Sequence, residues 1–177
     1  MLITILIAIA VIVVLLLIIV AMQPGTFRVE RSTSISAPAA TVFGNVNDLR
    51  RWKQWSPWEN IDKNLQQTYE GPPQGTGSIY SWVGKKTGAG RMTILESRPN
   101  QLVKIKLEFF KPFRATNTVD FTFVPDGNQT AVSWLMYGDK NMLAKAMHMM
   151  VSMDRMCGGM FEQGLRQLKA VSEGTAG

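Results

Sequence analysis

The sequence predicts an α+β fold: a curved antiparallel sheet packed against one long C-terminal helix, carried behind a single apolar span. Three observations predict it. The first 22 residues hold no charged side chain. Short stretches of period-two hydrophobicity then succeed one another with turn residues between them, the pattern of an antiparallel meander. Over the last 35 residues the apolar period lengthens to three or four, the pattern of a helix.

Thr4 is the only polar side chain between Met1 and Met22. A run of about 20 apolar residues, at about 1.5 Å each, crosses a hydrocarbon core of roughly 30 Å. A cleaved signal peptide needs a basic start, a shorter apolar stretch and a small-x-small cleavage site. This segment has no basic start and ends in Val20-Ala21-Met22-Gln23. Residues 1–23 therefore read as a retained transmembrane anchor and 24–177 as one domain with its own core, Pro24-Gly25 marking the exit. Arg28 and Arg31 follow the span and nothing basic precedes it, so the positive-inside bias leans toward a cytoplasmic domain, although Glu30 offsets the pair.

Composition removes much enzyme chemistry. The single Cys157 excludes an internal disulfide and a multi-cysteine metal site, and the single His148 argues against zinc or a histidine-based triad. No metal and no cofactor is expected. A net charge of +6 does not point to nucleic acid, since an anchor is present and no recognisable nucleic-acid module is.

The elements follow in order. TFRVERSTSIS reads as a strand with Phe27, Val29, Thr33 and Ile35 on one side. Pro38 suits a first helical turn, with Ser36 as its cap, and Val42, Phe43, Val46 and Leu49 then fall at helical spacing. The segment RRWKQWSPWEN carries Trp52, Trp55 and Trp58 and ends a second short helix at Ser56-Pro57. Strand-like stretches follow: LQQTYEG, SIYSWVG, RMTILES, QLVKIKLEFF, ATNTVDFTFV and TAVSWLMYG. In QLVKIKLEFF the alternation places Val103, Ile105, Leu107 and Phe109 on one face, and in the next strand Val119, Phe121 and Phe123 repeat it. Pro125-Asp126-Gly127-Asn128 is a hairpin turn. PPQGTG and KKTGAG lack the spacing of phosphate loops and precede no helix, so they too are turns.

In the C-terminal region Leu143, Met147, Met150, Cys157, Phe161, Leu165, Leu168 and Val171 form one stripe. Gly158-Gly159 interrupts it, which predicts one long helix bent near its middle. Asp154 lies on the stripe where an apolar residue is expected. A carboxylate there must be paired or hydrogen-bonded. It is either structural, paired with Arg31, Arg155 or a backbone amide, or a group that orients a ligand.

The stretches RSTSISAPAATVFGNVNDLRRWKQWSPW, YEGPPQGTGSIYSWVG, GAGRMTILESRPN and MDRMCGGMFEQGLRQLK occur in this order between about Phe27 and Lys169. Together they resemble the START-like, helix-grip (SRPBCC) superfamily, and within it the polyketide cyclase/dehydrase-like branch. The resemblance implies a seven-stranded antiparallel sheet gripping the C-terminal helix. It also implies an apolar cavity between them, with its mouth near the short helices and hairpin tips.

On that reading the ligand-binding residues lining the cavity are Trp55, Trp82, Leu107, Phe109, Phe121, Trp134, Met147, Met150, Asp154, Cys157 and Phe161. Seven of eleven methionines lie in the last helix region, and Met149, Met153, Met156 and Met160 make a second row beside the main stripe. Such a surface either packs a core or lines a pocket tolerant of ligand shape. The tryptophans read as a structural plug joining the short helices to the sheet, as a cavity rim that touches ligand, or as a membrane contact, the plug being favoured and Trp55 being the candidate for ligand contact. Lys85, Lys86, Lys104, Lys106, Lys111 and Arg114 make the sheet side basic, either a solvated face or one drawn to anionic lipid.

Two functions fit. One is a membrane-tethered module holding a lipid or other small hydrophobic molecule. The other is a cyclase/dehydrase-like enzyme using the cavity for positioning and proton transfer. No second group forms a catalytic motif with Asp154: Tyr80, Tyr137, His148 and Glu162 are the only candidates. That favours the binding module.

Overall fold

The computed structural model describes residues 1–62, 64–140, 142, 144–146 and 152–174. Helix α1 (Leu2–Met22) has 21 residues. At 1.5 Å each it is about 32 Å long, and it is long and apolar enough to cross a membrane. Its end is tied to the rest of the chain. Lys145 Nζ donates to the Ala21 carbonyl at 3.1 Å, and the Lys140 amide donates to the Gly25 carbonyl at 2.7 Å.

Seven strands follow the span: β1 (Thr26–Ile35), β2 (Gln66–Glu70), β3 (Ile79–Gly84), β4 (Gly88–Arg98), β5 (Leu102–Lys111), β6 (Ala115–Asp126) and β7 (Gln129–Asp139). They form one antiparallel sheet in the order β1-β7-β6-β5-β4-β3-β2. β2 to β7 is a plain meander, and β1 closes onto β7. This is the α+β helix-grip fold, with the expected number of strands.

The alternation read from the sequence is the one observed. Val103, Ile105, Val119, Phe121 and Phe123 are buried on the inner face, joined by Val29, Ile35, Val132, Trp134 and Met136. Leu107 and Phe109 complete that face of β5 but are only half-buried.

Among the described residues two helices lie on the sheet. Helix α2 (Ala39–Asn47) buries Val42 and Val46 and sets Phe43 edge-on to Phe123, while Leu49 is buried just beyond its end. Pro38 is its N-cap rather than a first-turn residue, and Ser36 does not cap it; the Ser36 amide instead donates to Glu173 at 2.6 Å. Two 3-10 turns follow, Arg51–Gln54 and Pro57–Asn60.

Helix α3 (Met153–Ser172) buries Phe161, Leu165 and Leu168 against the sheet. The expected single bent helix is not what forms. Ser152, in extended conformation, caps α3 by accepting from the Arg155 amide, and separates it from the helical residues 142 and 144–146. Gly158 and Gly159 lie inside an unbroken helix. The Ser152 side-chain acceptor satisfies one of the orphan amides at this helix start, which the stripe of apolar residues does not mark. The far end of α3 is fastened by Asn45–Ser172, Glu173–Ser36 and Lys169–Ser34 bonds of 3.1, 2.6 and 2.7 Å.

Register fixes a further feature. Thr26 lies opposite Asp139, Gly138 opposite Asn117, Ala115 opposite Phe109, Lys111 opposite Ala89, and Gly88 opposite Gly84. The start of β1, the end of β7 and the β3–β4 and β5–β6 tips therefore share one end of the sheet. A Cβ at Gly88, whose φ is +70°, would overlap the Lys111 carbonyl, so the two tips touch.

Candidate functional site

A cavity of about 350 Å³ lies between the inner face of the sheet, the first turns of α3 and the 3-10 segment. Strand alternation supplies its floor: Leu107 from β5, Asn117 and Val119 from β6, Trp134 and Met136 from β7. Tyr80, Trp82 and Met92 form one wall, while Met153, Cys157 and Phe161 of α3 cover it. Trp52 and Trp58 stand at the inner end. Toward the hairpin tips the lining passes to Ile61, Leu65, Lys86, Thr87 and Phe109, of which Ile61 and Lys86 are exposed.

The inner end is a cluster of aromatic rings fixed by backbone hydrogen bonds. Trp52 and Trp55 donate their indole N–H groups to the carbonyls of Val46 and Asn45, at 2.8 and 3.0 Å, where α2 ends. Trp134 stacks on Phe161 at 4.3 Å and 11°, and Trp58 meets both rings edge-on. Gly164 permits this closeness: a Cβ there would lie 2.7 Å from the Trp134 ring and 3.1 Å from Pro57. Aromatic pairs in such geometry add to the area they bury. The segment joins the short helices to the sheet, as a plug should.

Polar groups on the lining are few. Tyr80 donates to Glu59 at 3.2 Å, and Gln67 donates to both, reaching the Tyr80 oxygen at 3.1 Å. Burial first, and the Glu59 charge second, push the Tyr80 phenol well above its ordinary range. It is therefore a neutral hydroxyl at physiological pH, held against a carboxylate. Cys157 is pushed up by burial, with Asp154 adding to the effect, so it stays a thiol and is a poor nucleophile. Among the described residues no cluster of His, Cys, Asp and Glu could hold a metal.

Asp154 faces away from this cavity. Arg31 donates to both its oxygens, at 2.7 and 3.1 Å, and its Nε donates to Glu162 at 2.7 Å. Asp154, Gly158 and Glu162 are four apart, so they align along one side of α3. The guanidinium lies across Gly158, where any Cβ would overlap it. Hydrogen bonding to Arg31 lowers the Asp154 pKa, and the two carboxylates raise that of Arg31. Of the two roles open to Asp154, the structural one is what the geometry shows.

The family described as polyketide cyclase / dehydrase and lipid transport matches residues 26–173. The chain belongs to this family. No curated protein sequence matches it. Among solved structures it is similar to a Thermobifida fusca protein, at 18% identity and TM-score 0.63, covering 84% of this chain and 94% of that one. The Aha1 dimer from Colwellia psychrerythraea gives 16% identity and TM-score 0.61, over 85% and 99%. The di-domain ARO/CYC StfQ from the steffimycin biosynthetic pathway gives 12% and 0.61, over 86% of this chain and 52% of that one. At these identities the likenesses establish the fold.

Within this family member, six of the expected lining residues border the cavity: Trp82, Leu107, Phe109, Trp134, Cys157 and Phe161. Trp55 and Phe121 do not; both are fully buried one layer behind, and Trp52 and Trp58 take the place expected of Trp55. A spacing of three would put Trp52 and Trp55 on one side of a continuing helix, but the turn closes at Trp55, which swings inward. Asp154 is not on the lining either, for the reason given above. Met147 and Met150 lie outside the described residues, as do Leu143, His148 and Met149. Of the second methionine row, Met153 reaches the cavity while Met156 is 52% exposed.

The sequence reading missed Glu59, Lys86, Thr87 and Asn117. Inward alternation could have given Asn117 along with Val119, and Met92 and Met136 likewise. Nothing local marks Glu59, whose place depends on how the second 3-10 turn docks beside Tyr80.

Proposed function

We propose that this chain is a membrane-anchored binding protein that holds one small, mostly apolar molecule between sheet and α3. The observation that carries the reading is the cavity itself: about 350 Å³, lined by aromatic, aliphatic and methionine side chains with few polar groups. That is the composition expected of a small-molecule site, and the volume is near the low end of the usual range. A single acyl chain or a fused-ring compound suits it better than a two-chain lipid. Glu59, Tyr80 and Asn117 are placed to hold a polar end. Helix α1 would anchor the domain, which the positive-inside lean puts in the cytoplasm.

Native mass spectrometry of the full chain released from detergent tests this. The expected result is one small apolar molecule per chain, lost when Cys157→Trp fills the cavity while the fold is retained. Capture unaffected by Cys157→Trp would count against the site.

A second reading rests on the Glu59–Tyr80 pair, a carboxylate and a neutral phenol 3.2 Å apart on the cavity wall. In a cyclase- or dehydrase-like enzyme such a pair could carry a proton to or from a reacting chain. Glu59→Gln separates the two readings. The amide can still hydrogen-bond a polar end, so capture should be retained or weakened by the same small factor in either case, whereas turnover of a captured polyketide-like substrate should be abolished only if the pair transfers protons.

A further inference from the structure

The end of the sheet that receives the anchor differs in chemistry from the other end. Its two hairpin connections are residues 85–87, KKT, and 112–114, PFR, the latter preceded by Phe110 and Lys111. At the opposite end the connections are GPPQGTGS (71–78), PNQ (99–101) and GN (127–128), with no charge and no aromatic ring. Phe110 and Phe113 are 44% and 58% exposed, high values for phenylalanine. Lys85, Lys86, Lys111 and Arg114 are all exposed, and among the described residues none of the four forms an ion pair.

The anchor places this end next to the bilayer. Only three residues separate Met22 from Thr26, a reach of at most about 14 Å over four steps of about 3.6 Å in fully extended chain. The β3–β4 and β5–β6 tips are on the same end of the sheet as Thr26. The cavity lining also runs out toward them, through Phe109, Lys86 and Thr87.

We infer that these two touching tips are a membrane-docking face for anionic lipid, so that the cavity mouth opens onto the bilayer rather than into water. Phe110 and Phe113 enter the boundary between headgroups and acyl chains, and the four cations pair with anionic headgroups. An apolar molecule then passes between bilayer and cavity without crossing water. The inference rests on the anchor and cavity readings above, and it adds the surface through which the ligand arrives.

The test uses the full chain in lipid nanodiscs. An environment-sensitive fluorophore is attached to Phe113→Cys or, as control, to Asn128→Cys at the opposite end, both in a Cys157→Ser background. In discs containing phosphatidylglycerol the Phe113 probe should shift to the blue and be quenched by spin-labelled lipid, while the Asn128 probe does neither. Lys111→Glu with Arg114→Glu, or high salt, should remove the shift. A Phe113 probe as wet as the Asn128 probe, in a chain that survives alkaline washing of the discs, overturns the docking face alone. A chain that washes off overturns the anchor reading and this inference together. Equal quenching in pure phosphatidylcholine discs overturns the role given to the four cations.

Discussion

Replacing Trp55 tests whether the tryptophan cluster is structural. Trp55 is 1% exposed, is not on the lining of the cavity, and packs against Trp52, Phe121 and Trp134 with centroids at 4.6, 6.0 and 5.7 Å. Trp55→Ala removes all three contacts and leaves the Asn45 carbonyl without its donor. Truncating a buried aromatic ring costs about 3–5 kcal/mol. A domain of this size has roughly 5–15 kcal/mol in total, so the loss is a large share. At about 2–4 °C per kcal/mol, the unfolding midpoint should fall by roughly 6–20 °C. Near-UV circular dichroism of the full chain in detergent follows the melt without interference from the apolar helix, which carries no aromatic ring. Ligand capture per folded molecule should stay near the wild-type value at low temperature. A midpoint lowered by less than about 3 °C, the shift expected for about 1 kcal/mol, would refute the packing argument. Lost capture with an unchanged midpoint would return Trp55 to the ligand site.

The Arg31 clasp gives two further outcomes. Gly158→Ala should destabilise the wild-type chain, because the new Cβ displaces the guanidinium, yet stabilise an Arg31→Ala chain by about 1 kcal/mol through helix propensity alone; urea unfolding of the four proteins reads the change of sign, and equal effects in both backgrounds would sink the explanation. Asp154 has a folded pKa below its unfolded value, so its contribution is present above the ordinary carboxylate range and lost as pH falls through the lowered value. The stability gap between wild type and Asp154→Asn should therefore be widest near neutral pH and close on acidification, and a gap independent of pH would contradict the ion pair. Tyr69 is pushed up to about 12, chiefly by burial, and Tyr80 is raised by the same cause. Phenolate absorbance, assigned with Tyr69→Phe and Tyr80→Phe, should show both of these tyrosines still protonated at pH values around 10, whereas ionisation of Tyr80 there would argue against a closed Tyr80 wall.

By itself the sequence determined which segments pair with solvent and which with one another. Alternation in β5 and β6 set Val103, Ile105, Val119 and Phe121 inward, since side chains on a strand must alternate and only one face of this sheet is covered by helix. The uncharged run of α1 and the stripe of α3 were legible for the same kind of reason, a local period. Only the tertiary structure decided how deep each inward residue lies. Phe121 and Trp134 share a face and a register position, yet Trp134 borders the cavity and Phe121 lies behind it, because α2 and the 3-10 turns cover one end of the sheet and not the other. Asp154 carried the same limit: its place on the stripe was visible and Arg31 stood among its possible partners, but only the docking of β1 beside α3 selects Arg31, 123 residues earlier in the chain, over Arg155 or a backbone amide. Local periodicity selects a face; long-range docking selects which part of that face stays empty.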